Sequence, residues 1–186
     1  SGRWRLGDIR WGEEYSEFDV ICDGKKVDTV KTQLTGEYNL LNALAVYAMA
    51  LQNKIPAATV KSALLSFKGV KHRQEIIAKP NGTTVIDDFA HHPTAVRVTI
   101  DGIRKRFKKS KIIAVFEPRS ATSRRKVFQH DFAKALVTAD EVILSAPYNQ
   151  TNIAVDERFD ADAVVRECLS INAKVGAHVF GSVDEI

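Results

Sequence analysis

Residues 87–94 read DDFAHHPT, two acids and two histidines beside a proline and a threonine. Three chemistries suit that set. Asp87 or Asp88 with His91 and His92 would make a metal site, because carboxylate oxygens and imidazole nitrogens both bind divalent ions. Asp and His-Pro also suit a plain turn from strand to helix. In a third reading, a carboxylate at a strand tip accepts hydrogen bonds from ribose hydroxyls, which sets His91 beside a nucleotide. Adjacent histidines seldom aim at one ion from regular structure, so no metal ligand is assigned. The octapeptide alone leaves the other choices open.

Three more stretches hold candidate groups. GVKHRQE (69–75) places Arg73 between two differently patterned halves of the chain. The planar guanidinium fork matches phosphate or carboxylate, and the bland alternative is an Arg73–Glu75 surface arrangement worth little. GEYNLLNALA sets Asn39 and Asn42 three apart, hence on one face at a helix start. Asn39 also suits a cap, whereas Asn42 inside an apolar run needs partners if it is buried. EPRSATSRR (117–125) offers Arg119, Arg124 and Arg125 with three hydroxyls directly after an apolar strand. Arginines have the wrong sign for a helix start, so an anion is expected to offset them, either Glu117 or a substrate carboxylate. The carboxylate is preferred, because loops on such sheets commonly carry function.

The elements that hold these groups follow from the hydrophobic pattern. RWRLGDIRW and FDVICDGKKVDTVKTQL alternate as strands, with CDGKK as a hairpin turn. Leu40–Leu51 fits a largely buried helix, and a second helix starts at Pro56 and runs towards Gly69. From about Ile76 strands and helices alternate. TTVIDDF, KIIAVFEP, DEVILSAPY and GAHVFGS read as strands, and the segments beginning at Pro93, SRRKVFQHDFAKALVTA and DADAVVRECLSINA as helices. KIIAVFEP is nearly all apolar, as for a strand covered on both faces. The fold class expected is α/β, a Rossmann-like, mostly parallel sheet with flanking helices. DDFAHHPT and EPRSATSRR both lie at carboxyl ends of strands, where such sheets bind ligands.

Composition narrows the function classes. Hydrophobic residues make up 45% and charged residues 27%, ordinary for a globular chain able to bury a core. The net charge of +4 comes largely from local runs such as RKRFKKSK (104–111), read as the solvated end of a helix. No broad basic surface with interleaved aromatics is evident, so no nucleic-acid partner is expected. Cys22 and Cys168 stand far apart and signal neither zinc nor a disulfide framework. No membrane span or signal peptide is read, and a cytoplasmic location is expected.

In this order, GxxNxxNA at 36–43, HRQE at 72–75, DDFAHHPT and FEPRS at 116–120 resemble the Mur ligases, the ATP-dependent amide-forming enzymes of peptidoglycan assembly. The DDFAHHPT form is similar to the branch acting on UDP-N-acetylmuramate. FEPRSATSRR resembles the ligases of that branch that attach the recycled tripeptide L-alanyl-γ-D-glutamyl-meso-diaminopimelate. The alanine-adding ligases, with FQPHRYTR there, are the alternative. A non-catalytic nucleotide- or anion-binding module is a second one.

The resemblance implies that residues 1–73 are the end of a central ATPase domain and 74–186 a Rossmann-like last domain, truncated at its end. No GxxGKT phosphate cradle occurs, so the chain is expected to be part of a longer enzyme and inactive alone. Other segments of that enzyme would be its partners. Among ATP-binding residues the resemblance implies Asn39 and Asn42 near the base, Arg73 at the phosphates, Asp88 at the ribose, and Phe89 and His91 beside the nucleotide. It implies Arg119 and Arg124, with Ser120 and Thr122, at the carboxylates of the incoming amine substrate. Magnesium would be held mainly by segments outside this sequence. ATP would phosphorylate the lactyl carboxylate, and the amine would displace phosphate from the acyl phosphate. Tyr38 stands where the family usually has histidine.

Overall fold

A computed structural model describes residues 2–186. The chain divides into two compact units, one running up to Asp88 and including Gly102–Lys108, the other comprising Phe89–Asp101 and Lys109–Ile186.

In the first unit, β1 (Trp4–Trp11), β2 (Ser16–Cys22) and β3 (Lys25–Thr32) form an antiparallel meander. Asp23 and Gly24 both take positive φ, 47° and 80°, the left-handed pair that a tight hairpin needs. Phe18, Val20 and Val30 project from this sheet onto Leu40, Leu44 and Tyr47 of α1 (Glu37–Gln52) and onto Val60 and Leu64 of α2 (Ala57–Ser66). Only that side of α1 is buried. Leu41, Asn42, Ala45, Val46 and Met49 are exposed, so the buried-amide case weighed for Asn42 does not arise. Asn42 needs no protein partner because water reaches it.

β4 (Glu75–Ala78) and β5 (Val85–Asp87) pair antiparallel, with Glu75 opposite Asp87. The strand read from TTVIDDF thus has its partner in β4. α3 (Pro93–Arg106) follows, and its last turn groups with the first unit. There a Cβ on Gly102 would come within 3.1 Å of the Gly36 backbone, so the helix reaches that loop only because residue 102 is glycine.

The second unit is built on the parallel sheet β6 (Ile113–Phe116), β7 (Glu141–Ser145) and β8 (Gly176–Phe180), in that order. Helices α4 (Gln129–Leu136) and α5 (Ala161–Ile171) supply Phe132, Leu136, Val164 and Cys168 to a core with Val142 and Leu144. This is the expected α/β class. β6 departs from expectation: it is an edge strand, and Ile113 and Val115 are about half exposed. α5 is capped by Asp160, whose Oδ1 accepts from the Ala163 N–H at 2.9 Å. α4 begins later than SRRKVFQHDF suggests. The Ser120 and Ser123 hydroxyls each accept the other residue's backbone N–H at 3.0 Å, and that local exchange competes with helix. No helix of the described residues is long and apolar enough to cross a membrane.

Candidate functional site

The first unit contains a cavity of about 290 Å³ lined by Thr35, Asn39, Lys68, Arg73, Gln74, Glu75 and Arg106, among others. The turn after α2 builds one wall. His72 and Gln74 take φ of 57° and 50°, left-handed values that cost non-glycine residues energy and tightly curl the chain. The curl turns the Gln74 N–H to Asp88, whose Oδ2 accepts it at 2.9 Å, and the His72 N–H to Glu75 Oε2 at 3.0 Å. Asn39 is not a cap. It lies inside α1, and its Nδ2 donates to the Thr35 carbonyl at 2.7 Å. Tyr38 packs on Gly36, where a Cβ would meet its ring at 2.9 Å and where φ is +84°. Asn42 is not among the lining residues.

Two features of this unit escaped sequence reasoning. Arg106, read as part of a solvated run, is half-buried and lines the cavity, donating to the carbonyls of Glu13 at 2.6 Å and Gln33 at 3.3 Å. The other is a cluster of His72, Glu75 and Asp87, with ligand atoms within 4.8 Å of one another and His72 Nδ1 at 2.6 Å from Asp87 Oδ2. Asp87 was considered with His91 and His92, but the β4–β5 pairing brings it Glu75 instead. No sequence spacing signals such a cross-strand pair. A set with one imidazole and two carboxylates is a poor match for Mg²⁺, which favours oxygen ligands.

In the second unit, Phe89 and His91 form an edge-to-face pair at 4.9 Å, and His91 Nδ1 lies 3.0 Å from the Phe89 carbonyl. His92 turns to Phe128 instead, at 5.0 Å, so the two histidines do not converge. At the carboxyl end of β6, the Arg119 guanidinium lies 4.7 Å from the Tyr148 ring and 3.6 Å from Glu117, with its side chain 63% exposed. Glu117 therefore offsets part of its charge without a hydrogen bond. Arg124 is differently placed: it donates to the carbonyls of Ser120, Tyr148 and Asn149. Arg125 pairs with Glu157 at 2.7 Å. Ser120 is tied to Ser123, and Thr122 is half-buried beside them. Tyr148 was not singled out from sequence, where an aromatic after a strand carries no signal of its own.

The family model described as Mur ligase, glutamate ligase domain, matches residues 72–186, more than half of the chain. The chain belongs to the Mur ligase family. It is 41% identical over 157 residues to a UDP-N-acetylmuramate–L-alanine ligase of Pediococcus pentosaceus, covering 83% of this chain and 34% of that protein. It is 40% identical over 147 residues to an Escherichia coli ligase named for UDP-N-acetylmuramate and L-alanyl-γ-D-glutamyl-meso-2,6-diaminoheptandioate, covering 78% and 32%. Among solved structures it is similar to a UDP-N-acetylmuramate–alanine ligase from Thermotoga maritima, with TM-score 0.79 and 27% identity over 97% of this chain and 37% of that one. A murein peptide ligase from Psychrobacter arcticus matches with TM-score 0.57 and 29% identity, over 100% and 37%. The chain thus spans about a third of the length of these curated relatives.

Proposed function

We propose that this chain is part of an ATP-dependent, ADP-forming ligase that joins UDP-N-acetylmuramate to the tripeptide L-alanyl-γ-D-glutamyl-meso-diaminopimelate in peptidoglycan recycling. The observation that carries the tripeptide assignment is Arg119, a mostly exposed guanidinium held over Tyr148 in the FEPRSATSRR loop. A tripeptide brings several carboxylates to be held, and an arginine fork suits them. Ser120 is tied to Ser123 in that loop, Thr122 lies half-buried beside them, and Arg124 fixes the loop against the Tyr148–Asn149 segment.

For the nucleotide, the cavity in the first unit fits a phosphorylated ligand, since Arg73, Arg106 and Lys68 all line it. Bound ATP would supply the phosphoryl group that activates the muramate carboxylate. In this reading Asn39 and Arg73 act from the cavity wall, and Asn42 from the exposed side of α1. Asp88, whose Oδ2 accepts the Gln74 N–H, is assigned to the ribose on the family resemblance; in the second unit, Phe89 and His91, an edge-to-face pair, are assigned to the nucleotide on the same ground. Among the described residues, the one metal-type cluster contains a histidine and suits Mg²⁺ poorly, so magnesium is assigned to other segments. The open apolar face of α1, with Leu41, Val46 and Met49, suits cover by such segments. We assign residues 1–73 to the central domain of that ligase, residues 74–186 to its last domain, and the whole to the cytoplasm.

The alanine-adding reaction is the second reading, favoured because several of the similar curated proteins are UDP-N-acetylmuramate–L-alanine ligases. Substrate choice separates the two. Given ATP, magnesium and UDP-N-acetylmuramate, the full-length protein carrying this sequence is expected to release phosphate faster with the tripeptide than with L-alanine. The opposite preference would establish the alanine reading. No release with either would leave the nucleotide- or anion-binding module.

A further inference from the structure

Two acids face each other across the short hairpin of the first unit. Glu75 on β4 and Asp87 on β5 are register partners, so their side chains share one face of the two-stranded sheet. Like charges directly opposite on neighbouring strands are destabilising, and a cation beside them relieves the repulsion. The group that reaches them is His72, from the turn leading into β4. Its Nδ1 lies 2.6 Å from Asp87 Oδ2, and its backbone N–H donates to Glu75 Oε2 at 3.0 Å.

One imidazole nitrogen and two carboxylate oxygens thus lie within 4.8 Å of one another. Ligand atoms about 2.0–2.2 Å from a tetrahedral ion stand roughly 3.3 Å apart, so small side-chain rotations close the set. Room for those rotations exists: the His72 side chain is 65% exposed and that of Asp87 38%. An ion there would take the place of the proton between Nδ1 and Oδ2. The other histidines lack this setting. His130 meets Glu167 and His178 meets Glu141, one carboxylate each, while His91 and His92 face aromatic rings. Among the described residues, only His72 stands with two acids, and the strand register, which no local flexibility supplies, holds those two together.

We propose that His72, Glu75 and Asp87 bind one divalent transition-metal ion of the Zn²⁺ type, with water completing its shell. Zn²⁺ accepts a mixed set of nitrogen and oxygen ligands, whereas Mg²⁺ and Ca²⁺ favour oxygen alone. The three residues have no part in the ligase reading, and the proposal does not rest on it. An ion held there fastens the turn after α2 to both strands of the hairpin.

Calorimetric titration of the 186-residue chain with ZnCl₂, at neutral pH and with Mg²⁺ in excess, tests the proposal. Saturable binding of one Zn²⁺ per chain is expected. The affinity should fall about tenfold or more in His72→Gln and in Asp87→Asn, and stay within about twofold of the parent in His130→Gln. With Co²⁺ as a coloured substitute, the parent should show a visible absorption band that His72→Gln loses. Circular dichroism checks the fold of each variant, and Glu75→Gln stands in for either one that does not fold. Absence of saturable Zn²⁺ binding would overturn the proposal, as would affinities unchanged in the His72 and Asp87 variants. An equal loss in His130→Gln would reduce the binding to surface histidines at large and overturn it too. Displacement of Zn²⁺ by Mg²⁺ at comparable concentration would overturn the assigned metal class.

Discussion

Arg106 and Arg124 are both half-buried arginines held by backbone carbonyls, yet they do different work. Arg124, in the second unit, donates to Ser120, Tyr148 and Asn149, so its head closes one loop onto another. Its own carbonyl accepts from Gln150 Nε2 at 2.8 Å and from the Phe159 N–H, which extends the tie in the other direction. Arg106, in the first unit, donates to two carbonyls and otherwise borders a cavity. Arg124 is thus engaged by three carbonyls across two segments, and Arg106 by two carbonyls beside a cavity.

The chain contains a separate reporter for each unit. Trp4 and Trp11, the only tryptophans, lie on β1 in the first unit. Cys168 is fully buried in the second, and burial pushes its thiol up to about 11. Cys168 should therefore react with a thiol reagent only when the second unit opens, while the half-buried Cys22 reacts early. Arg124→Met removes charged hydrogen bonds worth together about 2 kcal/mol. The Cys168 labelling rate should then rise about 30-fold when opening is fast relative to labelling. Arg106→Met should leave that rate unchanged. In denaturant titrations followed by tryptophan fluorescence, Arg106→Met should keep stability within about 1 kcal/mol of the parent or raise it, since an unpaired buried charge is lost. A loss as large as that of Arg124→Met would make Arg106 a structural tie as well, and the contrast between the two would fail.

The two basic stretches also show what can be read from sequence. RKRFKKSK was read as one solvated run, and for Lys105, Lys108 and Lys109 exposure agrees. Arg106 differs because Gly102 lets the last turn of α3 reach the Thr35–Gly36 loop, a long-range approach that no local pattern encodes. The EPRSATSRR arginines were read at a helix start. Ser120 and Ser123 instead make a hydrogen-bonded turn, and α4 begins only at Gln129. The parallel strands β6 to β8 and their helices were legible because each is a short apolar run or an amphipathic period. α1 was only half legible. Its apolar residues surround the helix, so composition could not tell the packed side from the one exposing Leu41, Val46 and Met49. The motif residues of the first unit were found, and the Glu75–Asp87 register partnership was not, because strand pairing sets it.

A pH titration tests the first unit alone. Asp19 accepts hydrogen bonds from Arg10 Nη2 at 2.7 Å and Thr29 Oγ1 at 3.0 Å, and Lys26 lies at 2.7 Å. Arg10 first, then Lys26, holds its carboxyl well below the ordinary value of 3.8. A depressed folded-state value means that this stabilisation is complete above the unfolded value and is lost as pH falls through the folded one. The tryptophan-detected stability should therefore decline below about pH 4, and Asp19→Asn should lower it at neutral pH while flattening that decline. An unchanged slope in the variant would assign the acid transition to other carboxylates, such as Glu17, which Arg10 also holds low.

The smallest effect concerns Arg119, whose side chain is 63% exposed. Arg119 rests on the Tyr148 ring at 4.7 Å, an exposed cation–π contact worth about 0.5–1 kcal/mol. Tyr148→Ala leaves the guanidinium and removes its rest. If the contact pre-orients Arg119 for a substrate carboxylate, the variant of the full-length protein should show a KM for the tripeptide raised about two- to fivefold. The KM for ATP should not move. Tyr148→Phe keeps the ring and should behave as the parent, which separates stacking from any role of the phenol. Arg119→Ala should raise the tripeptide KM further, since it removes the charge itself, and the double variant should add little to it. Additive losses would mean that Tyr148 meets the substrate independently of Arg119. Equal effects on ATP and tripeptide would remove both residues from the amine-substrate site and leave Arg119, like Arg124, a part of the loop's own structure.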